Sequence, residues 1–142
     1  NHLPSDHMHL MAMDFFPAVS HLKKVGQTFD TILLDPPFFS VTRAGKVDLN
    51  TNILRLVNKV RPLVVHGGKL IIINNALYVS GQEFLASLDQ LCADGYVSIG
   101  ERIDVPSSFI GDQADLSALP SDPSPFNHST KIVILNIRKK EV

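Results

Sequence analysis

The sequence lacks several features that would assign it to particular classes of protein. Its single cysteine cannot form an intrachain disulfide. Its apolar runs, such as 31–34 and 70–73, are far shorter than the roughly 20 residues that a membrane-spanning helix needs. No basic segment followed by a long apolar stretch opens the chain, so no secretory signal is expected. These absences favour a cytoplasmic location.

The sequence also has no excess of positive or negative charge. Thirteen basic and fourteen acidic residues leave a formal net charge of −1, so composition gives no sign of a nucleic-acid-binding domain. The histidines near the start, His2, His7 and His9, come without a cysteine or carboxylate set to complete a metal site. We therefore expect no metal.

The chain contains alternating strand-like and helix-like segments. The predicted strands are Met8–Met13, Thr31–Leu34, Lys69–Ile73, Val97–Val105 and Lys131–Arg138. The predicted helices are Phe16–Val25, Leu49–Val65 ending at Gly67 and Gly68, and Gly81–Ala93 with a capping box of Ser80 and Glu83. This alternation predicts one α/β domain with a mostly parallel sheet. The last two strands are separated by a long loop, 106–128, without a helix, which predicts an antiparallel final strand.

The segment with the clearest chemistry is Asp35-Pro36-Pro37-Phe38, which directly follows a buried strand. Open α/β sheets bind ligands at the carboxyl ends of their strands. A carboxylate there can accept hydrogen bonds from a planar polar ring, the prolines stiffen the turn, and Phe38 or Phe39 can stack on the ring. The alternative is that Asp35 caps a helix whose first turn contains Pro36.

Residues 29–40 resemble motif IV of class I S-adenosylmethionine (SAM)-dependent methyltransferases. In particular, they are similar to the 23S ribosomal RNA enzymes whose motif is Asp-Pro-Pro, one residue, then Phe, matched here by Asp35, Pro36, Pro37 and Phe39. Residues 67–75 resemble the fifth strand of that family, and residues 127–131 resemble the entry to its final strand. The resemblance implies a Rossmann-like sheet and SAM as the methyl donor.

The resemblance also assigns roles to individual residues. Asp14 and Phe15 match the acidic residue and its neighbour that contact the adenine of SAM, and Asp35 lies beside the donor as well. Asp35, Pro36, Pro37 and Phe38 are the expected catalytic segment. The expected substrate-binding residues are Phe39, Ser40, Arg43, Lys46 and Asn74. Of these, Arg43 and Lys46 follow the motif in a predicted loop, where they would contact RNA phosphates.

Part of the family pattern is not found. The eight glycines include no Gly-x-Gly, so no loop offers the clustered backbone amides that the donor needs. The strands that carry this loop and the ribose-binding acid would lie before Asn1. We therefore expect residues 1–142 to be the C-terminal portion of a methyltransferase catalytic domain, incomplete at its N-terminus with the first two strands absent.

The resemblance favours a nitrogen as the methyl acceptor. Related enzymes that methylate carbon 5 of cytosine use a cysteine after the fifth strand, where this chain has Asn74 and Asn75. Cys92 is distant in sequence. We therefore expect methylation of a base nitrogen in RNA, with ribosomal RNA as the expected substrate. His128, at the end of the long loop, is a further residue within possible reach of substrate.

Two alternatives stay open at the level of sequence. Because the glycine loop is missing, the chain could instead be a truncated or degenerate methyltransferase-like domain that binds a partner without catalysis. A nicotinamide-dependent oxidoreductase would share the strand and helix alternation, but such an enzyme has no use for an Asp-Pro-Pro-Phe segment. Binding of SAM, of a nicotinamide cofactor, or of neither separates the three.

Overall fold

The structure is a computed structural model that describes residues 8–37, 39–42, 45–48, 53–110 and 118–139. Its helices are α1 (Phe15–Lys24), α2 (Ile53–Val60), α3 (Gly81–Cys92) and the short α4 (Ser107–Ile110). Its strands are β1 (Phe29–Leu34), β2 (Phe39–Thr42), β3 (Gly45–Asp48), β4 (Val64–Asn74), β5 (Val97–Ile103) and β6 (Lys131–Ile137). A 3-10 turn, Arg61–Leu63, joins α2 to β4.

Four strands form the main sheet in the order β1-β4-β6-β5. β1 and β4 are parallel, with Leu34 opposite Ile72, and β6 is antiparallel to both of its neighbours. The carboxyl ends of β1, β4 and β5 therefore all lie at the same end of the sheet. The mixed α/β architecture and the antiparallel pairing of the last two strands, β5 and β6, at one side of the sheet agree with the prediction.

Alternating apolar residues build the core. In β4, Leu70 and Ile72 are completely buried, and in β6 Val133 and Leu135 are too. The amphipathic helices α2 and α3 contribute their apolar sides, including the buried residues Leu56, Val57, Phe84 and Leu88. At about 1.5–3 kcal/mol for each fully buried large apolar side chain, this packing fixes the sheet against its helices.

The predicted helix Leu49–Val65 is too long at its C-terminal end. Residues 49–52 lie outside the described residues, and the helix that is described ends at Val60 because Pro62 cannot continue it. Val64 and Val65 already belong to β4, so Gly67 and Gly68 lie within that strand rather than ending a helix. Gly67 has a φ of +78°, a conformation that glycine adopts without strain.

Two other predictions are wrong. Residues 8–13 were expected to form a strand, but they form neither helix nor strand and are exposed. Their alternation of apolar residues has no neighbouring strand among the described residues on which to pair. The segment after Asp35-Pro36-Pro37 was expected to be a loop. It instead contains the antiparallel hairpin of β2 and β3, in which Ser40 pairs with Val47.

The other helix boundaries agree closely with the sequence. α1 and α3 begin and end within one residue of the predicted positions. The capping box at the start of α3 is present in full: Glu83 N donates to Ser80 Oγ at 3.1 Å, and Ser80 N donates to Glu83 Oε2 at 2.8 Å. No helix in the described part of the chain has the length and apolar character to cross a membrane.

The predicted loop 106–128 is described in part, with 111–117 outside the described residues. It contains α4, and its second half is tied to the sheet by side-chain hydrogen bonds. Asn127 accepts from Val105 N at 3.0 Å and donates to Val105 O at 2.9 Å. Gly81 N donates to Asp122 O at 3.0 Å, which joins this loop to the start of α3.

Candidate functional site

The site lies at the end of the sheet where the carboxyl ends of β1 and β4 lie side by side. Asp35 follows β1 directly and is exposed, and Asn75 follows β4 directly. Asn75 Nδ2 donates a hydrogen bond to Asp35 Oδ1 at 3.3 Å. The pairing of β1 with β4 brings these residues together although they are 40 positions apart in the chain. Asp35 therefore has one carboxylate oxygen oriented by a neighbour while its side chain is open to solvent.

The residues after Asp35 form the wall beside it. Pro36 is buried and Pro37 is exposed, so the first proline anchors the turn against the fold. Phe39 begins β2 with 54% of its surface exposed, and Ser40 is half-buried. An aromatic ring this exposed, a few residues from a carboxylate, suits stacking on a flat ring.

Three predicted site residues can be placed only in part or not at all. Phe38 and Arg43 lie outside the described residues. Lys46 is in β3, where its backbone pairs with Val41 across the hairpin. It is therefore carried by a strand rather than by the predicted loop.

Asp14 and Phe15 lie at the start of α1. Phe15 lines the same groove as Leu34, the last residue of β1, so the N-terminus of α1 lies near the carboxyl end of that strand. Asp14 occupies the N-cap position, but its exposed side chain makes no capping hydrogen bond. Its carboxylate is therefore not used as a helix cap and is open to a ligand. Phe15 packs edge-on against Phe16, with ring centroids 5.1 Å apart.

An apolar groove of about 330 Å³ runs between α1 and β1. Phe15 and Leu34 both line it, which links the N-terminus of α1 to the strand that leads into Asp35. The groove walls also include Val19, Leu22, Phe29, Ile32, Leu33, Val60 and Leu63. An apolar groove with carboxylates near one end fits a ligand with a flat ring and a polar rim.

Asn74, predicted to bind substrate, is completely buried, whereas its neighbour Asn75 is exposed and contacts Asp35. Asn74 Oδ1 accepts a hydrogen bond from Ala76 N at 2.8 Å. The alternation of β4 contains the signal for this burial, because Asn74 is in phase with Leu70 and Ile72. A strand residue two places after a buried one faces the same side of the sheet.

Lys131 is a site residue that the sequence analysis did not identify. It is 1% exposed and lies opposite Asn74 in the pairing of β4 with β6. Its Nζ donates to Ala76 O at 3.0 Å and to Ser129 O at 2.7 Å. Burial lowers the pKa of this lysine below its ordinary value. The same alternation contains the signal, since Lys131 is in phase with the buried Val133.

Two other reactive residues, Cys92 and His128, contribute little to the candidate site. Cys92 lies in the last turn of α3, at the opposite edge of the sheet, and its Sγ contacts Leu88 O at 3.5 Å. His128 is half-buried, and its Nδ1 accepts a hydrogen bond from Thr130 N at 3.0 Å. That bond closes a local turn and occupies one of the two ring nitrogens.

Comparison with solved structures identifies proteins with a similar fold. A proposed SAM-dependent methyltransferase from Streptococcus mutans matches with a TM-score of 0.74 and 20% identity, over 96% of this chain and 33% of that one. SMU.776, a proposed methyltransferase complexed with S-adenosylhomocysteine (SAH), matches with a TM-score of 0.69 and 18% identity, over 93% of this chain and 33% of that one. M1.HpyAVI matches with a TM-score of 0.50 and 13% identity, over 89% and 52% of the two chains.

No protein-family model matches the chain, and a search of curated proteins finds no relative by sequence. The chain spans about a third of the length of the first two structures. At these identities the likeness concerns the fold. The described residues therefore have the α/β fold found in these methyltransferase structures, with Asp35 at the carboxyl end of a parallel strand.

Proposed function

We propose that this chain is the C-terminal portion of the catalytic domain of a SAM-dependent methyltransferase. The observation that carries the proposal is the Asp35–Asn75 pair, at 3.3 Å, where two parallel strands end. The pair lies at the carboxyl ends of two parallel strands, which is where open α/β sheets bind ligands. SMU.776 is complexed with SAH, which supports SAM as the donor.

The residues of this chain fit the adenine end of SAM. The Asp14 carboxylate is exposed and forms no cap, so it can accept a hydrogen bond from an exocyclic amine. Phe15, in the adjoining groove, offers an apolar wall for the ring. When bound, SAM supplies a methyl group on a cationic sulfur, which needs little further activation.

We further propose that the methyl acceptor is a base nitrogen in RNA, with ribosomal RNA as the first substrate to test. The Asp35 carboxylate and the Pro36 carbonyl would hold the N–H groups of the base, and Phe38 or Phe39 would stack on its face. The Asp35 carboxylate can also hold the proton that the nitrogen gives up. Catalysis would then rest mainly on orientation. Ser40, Arg43 and Lys46 are the proposed remaining substrate contacts, whereas Asn74 is buried and its Oδ1 accepts from Ala76 N.

Calorimetric titration with SAH tests the cofactor assignment. It should be run on the 142-residue chain and on a longer polypeptide that includes any coding sequence upstream of Asn1. Binding only by the longer polypeptide would support an incomplete catalytic domain, and binding by both would show that the chain alone holds the donor. Binding by neither would overturn the proposal in favour of a non-catalytic binding module.

Replacement of Asp35 tests the chemistry. We expect Asp35→Ala, in the SAH-binding polypeptide, to abolish methyl transfer to unmodified ribosomal RNA, because the base loses its acceptor. Asp30→Ala is the matched control, since Asp30 is an exposed aspartate on the same strand. Mass spectrometry of the digested RNA identifies the methylated nucleoside. Full activity of Asp35→Ala, or a methyl group on carbon, would contradict the proposed mechanism.

A further inference from the structure

Two polar side chains in the described part of the chain are buried, Asn74 and Lys131, at 0% and 1% exposure. Lysine is rarely this deeply buried, because removing an ammonium from water is costly unless it gains strong partners. Both residues lie at the end of the sheet that carries Asp35, directly opposite each other in β4 and β6. A costly pair at this position calls for an explanation beyond packing.

Both residues act on the backbone of Ala76. Asn74 Oδ1 accepts from Ala76 N at 2.8 Å, and Lys131 Nζ donates to Ala76 O at 3.0 Å. The N–H and the C=O of one residue are therefore both fixed by buried side chains. Asn75 lies immediately before Ala76, and it is the residue whose amide reaches Asp35. Asn74 Nδ2 has no hydrogen-bond partner in the described structure, so this amide serves Ala76 through its oxygen alone.

We propose that Lys131 is a positioning residue for Asp35, acting through Ala76 and Asn75. This inference rests on the proposed function for its catalytic consequence, but its structural content is independent of it. Without the ammonium, Ala76 O retains the longer bond from Val79 N, at 3.4 Å, and the turn after β4 is held less firmly. Asn75 then leaves hydrogen-bonding distance of Asp35, and the carboxylate loses its orientation.

A purely structural role for Lys131 predicts something different. Its second bond, to Ser129 O at 2.7 Å, ties the end of the long loop to the sheet. If that were its whole role, loss of the ammonium would lower stability and leave the Asn75 side chain unchanged. The side-chain amide of Asn75 is therefore the readout that separates the two roles.

The test uses Lys131→Met in the 142-residue chain, with the Asn75 side-chain amide followed by NMR. We expect its resonances to move in the direction seen in Asp35→Ala. Lys131→Arg, which keeps a cationic donor, should restore them in part. Lys69→Met is the control, because Lys69 is an exposed lysine of the same sheet. Unchanged Asn75 resonances in a folded Lys131→Met chain would overturn the inference. If methionine prevents folding, Lys131→Gln is compared in the same way.

A second measurement separates this inference from the proposed function. In the polypeptide that transfers methyl groups, Lys131→Met should lower kcat roughly tenfold to a hundredfold, as expected for a misplaced catalytic group, with little change in KM for SAM. If the wild-type polypeptide shows no transfer while the Asn75 resonances still respond, the proposed function fails and the positioning role stands. If transfer is present and neither kcat nor the resonances respond, the positioning role fails.

Discussion

At the scale of single residues, hydrogen bonds to backbone groups decide where loops and helices begin. Ser80 and Glu83 exchange bonds at the start of α3, where four backbone N–H groups have no partner within the helix. Asn74 and Lys131 each bind one backbone group of Ala76, just after the end of β4. In both places a polar side chain replaces water as the partner of a backbone group, and the chain direction is fixed as a result.

The capping box gives a pH-dependent prediction. The Ser80 N–H and then the Ser80 hydroxyl lower the pKa of Glu83. A lowered folded-state pKa stabilises the fold above the ordinary glutamate pKa, and this stabilisation is lost as the pH falls through the folded value. We expect Ser80→Ala to lower the free energy of unfolding by about 1 kcal/mol at neutral pH. In acid, the difference in free energy of unfolding between this variant and wild type should become smaller.

Urea unfolding of Ser80→Ala and wild type, at neutral pH and well below the ordinary glutamate pKa, measures this effect. Ser20→Ala is the control, because Ser20 is exposed and lies within α1 rather than at its cap. A difference between Ser80→Ala and wild type that is the same at both pH values would show that the bond from the Ser80 hydroxyl to Glu83 does not contribute to stability.

The candidate site was predictable from sequence to different extents at different residues. Asp35 was recognisable because a run of apolar residues ends abruptly at it, before two prolines. Its partner Asn75 was not, since parallel pairing of β1 with β4 is a property of the sheet rather than of either segment. Lys131 was missed for a different reason: a lysine at a strand end is normally read as exposed, although its phase in β6 was inward.

At the scale of secondary-structure elements, capping and turn residues located the boundaries better than hydrophobic periodicity did. α1 and α3 were placed within one residue, because Gly26 follows one and Ser80 precedes the other. Apolar residues recur from α2 through the 3-10 turn into β4, at Val60, Leu63 and Val64, so periodicity alone extended the helix too far. The hairpin of β2 and β3 was missed because both strands are short and one of them follows two prolines.

One asparagine joins the loop before β6 to Val105, just after β5. Asn127 makes both of its hydrogen bonds with the backbone of Val105, at 3.0 and 2.9 Å, in a half-buried position. We expect Asn127→Ala to destabilise the fold by about 1–3 kcal/mol, since the Val105 groups lose their partners. The exposed Asn58→Ala, on α2, should change stability little.

Amide hydrogen exchange locates the effect of Asn127→Ala. The Val105 amide should exchange faster in the variant, while amides in the centre of β4 keep their protection relative to global stability. Equal loss of protection throughout the sheet would mean that Asn127 supports the whole fold rather than the attachment of this loop.

At the scale of the whole molecule, the sheet is covered unevenly. Strands with parallel neighbours usually bury both faces. β1, however, lies at one edge of the described sheet, and Leu33 is 61% exposed although Leu34 beside it is buried. Val19 of helix α1 lines the same groove as Ile32, Leu33 and Leu34. Alternation along the strand directs the Leu33 side chain away from the side of Leu34. The opposite side of β1 therefore presents an apolar side chain beside an edge strand.

This arrangement favours self-association of the 142-residue chain, because an edge strand offers unpaired backbone groups and Leu33 adds apolar surface to them. We expect concentration-dependent association in sedimentation velocity, and Leu33→Lys should weaken it by placing a charge on the edge. Val25→Lys is a matched control: Val25 is 58% exposed but lies in the turn after α1, away from any strand edge. If both variants weakened association equally, general charge repulsion would explain the effect. If wild type stayed monomeric at every concentration, β1 would not act as an open edge, and its apolar side chain would be a surface feature without consequence for assembly.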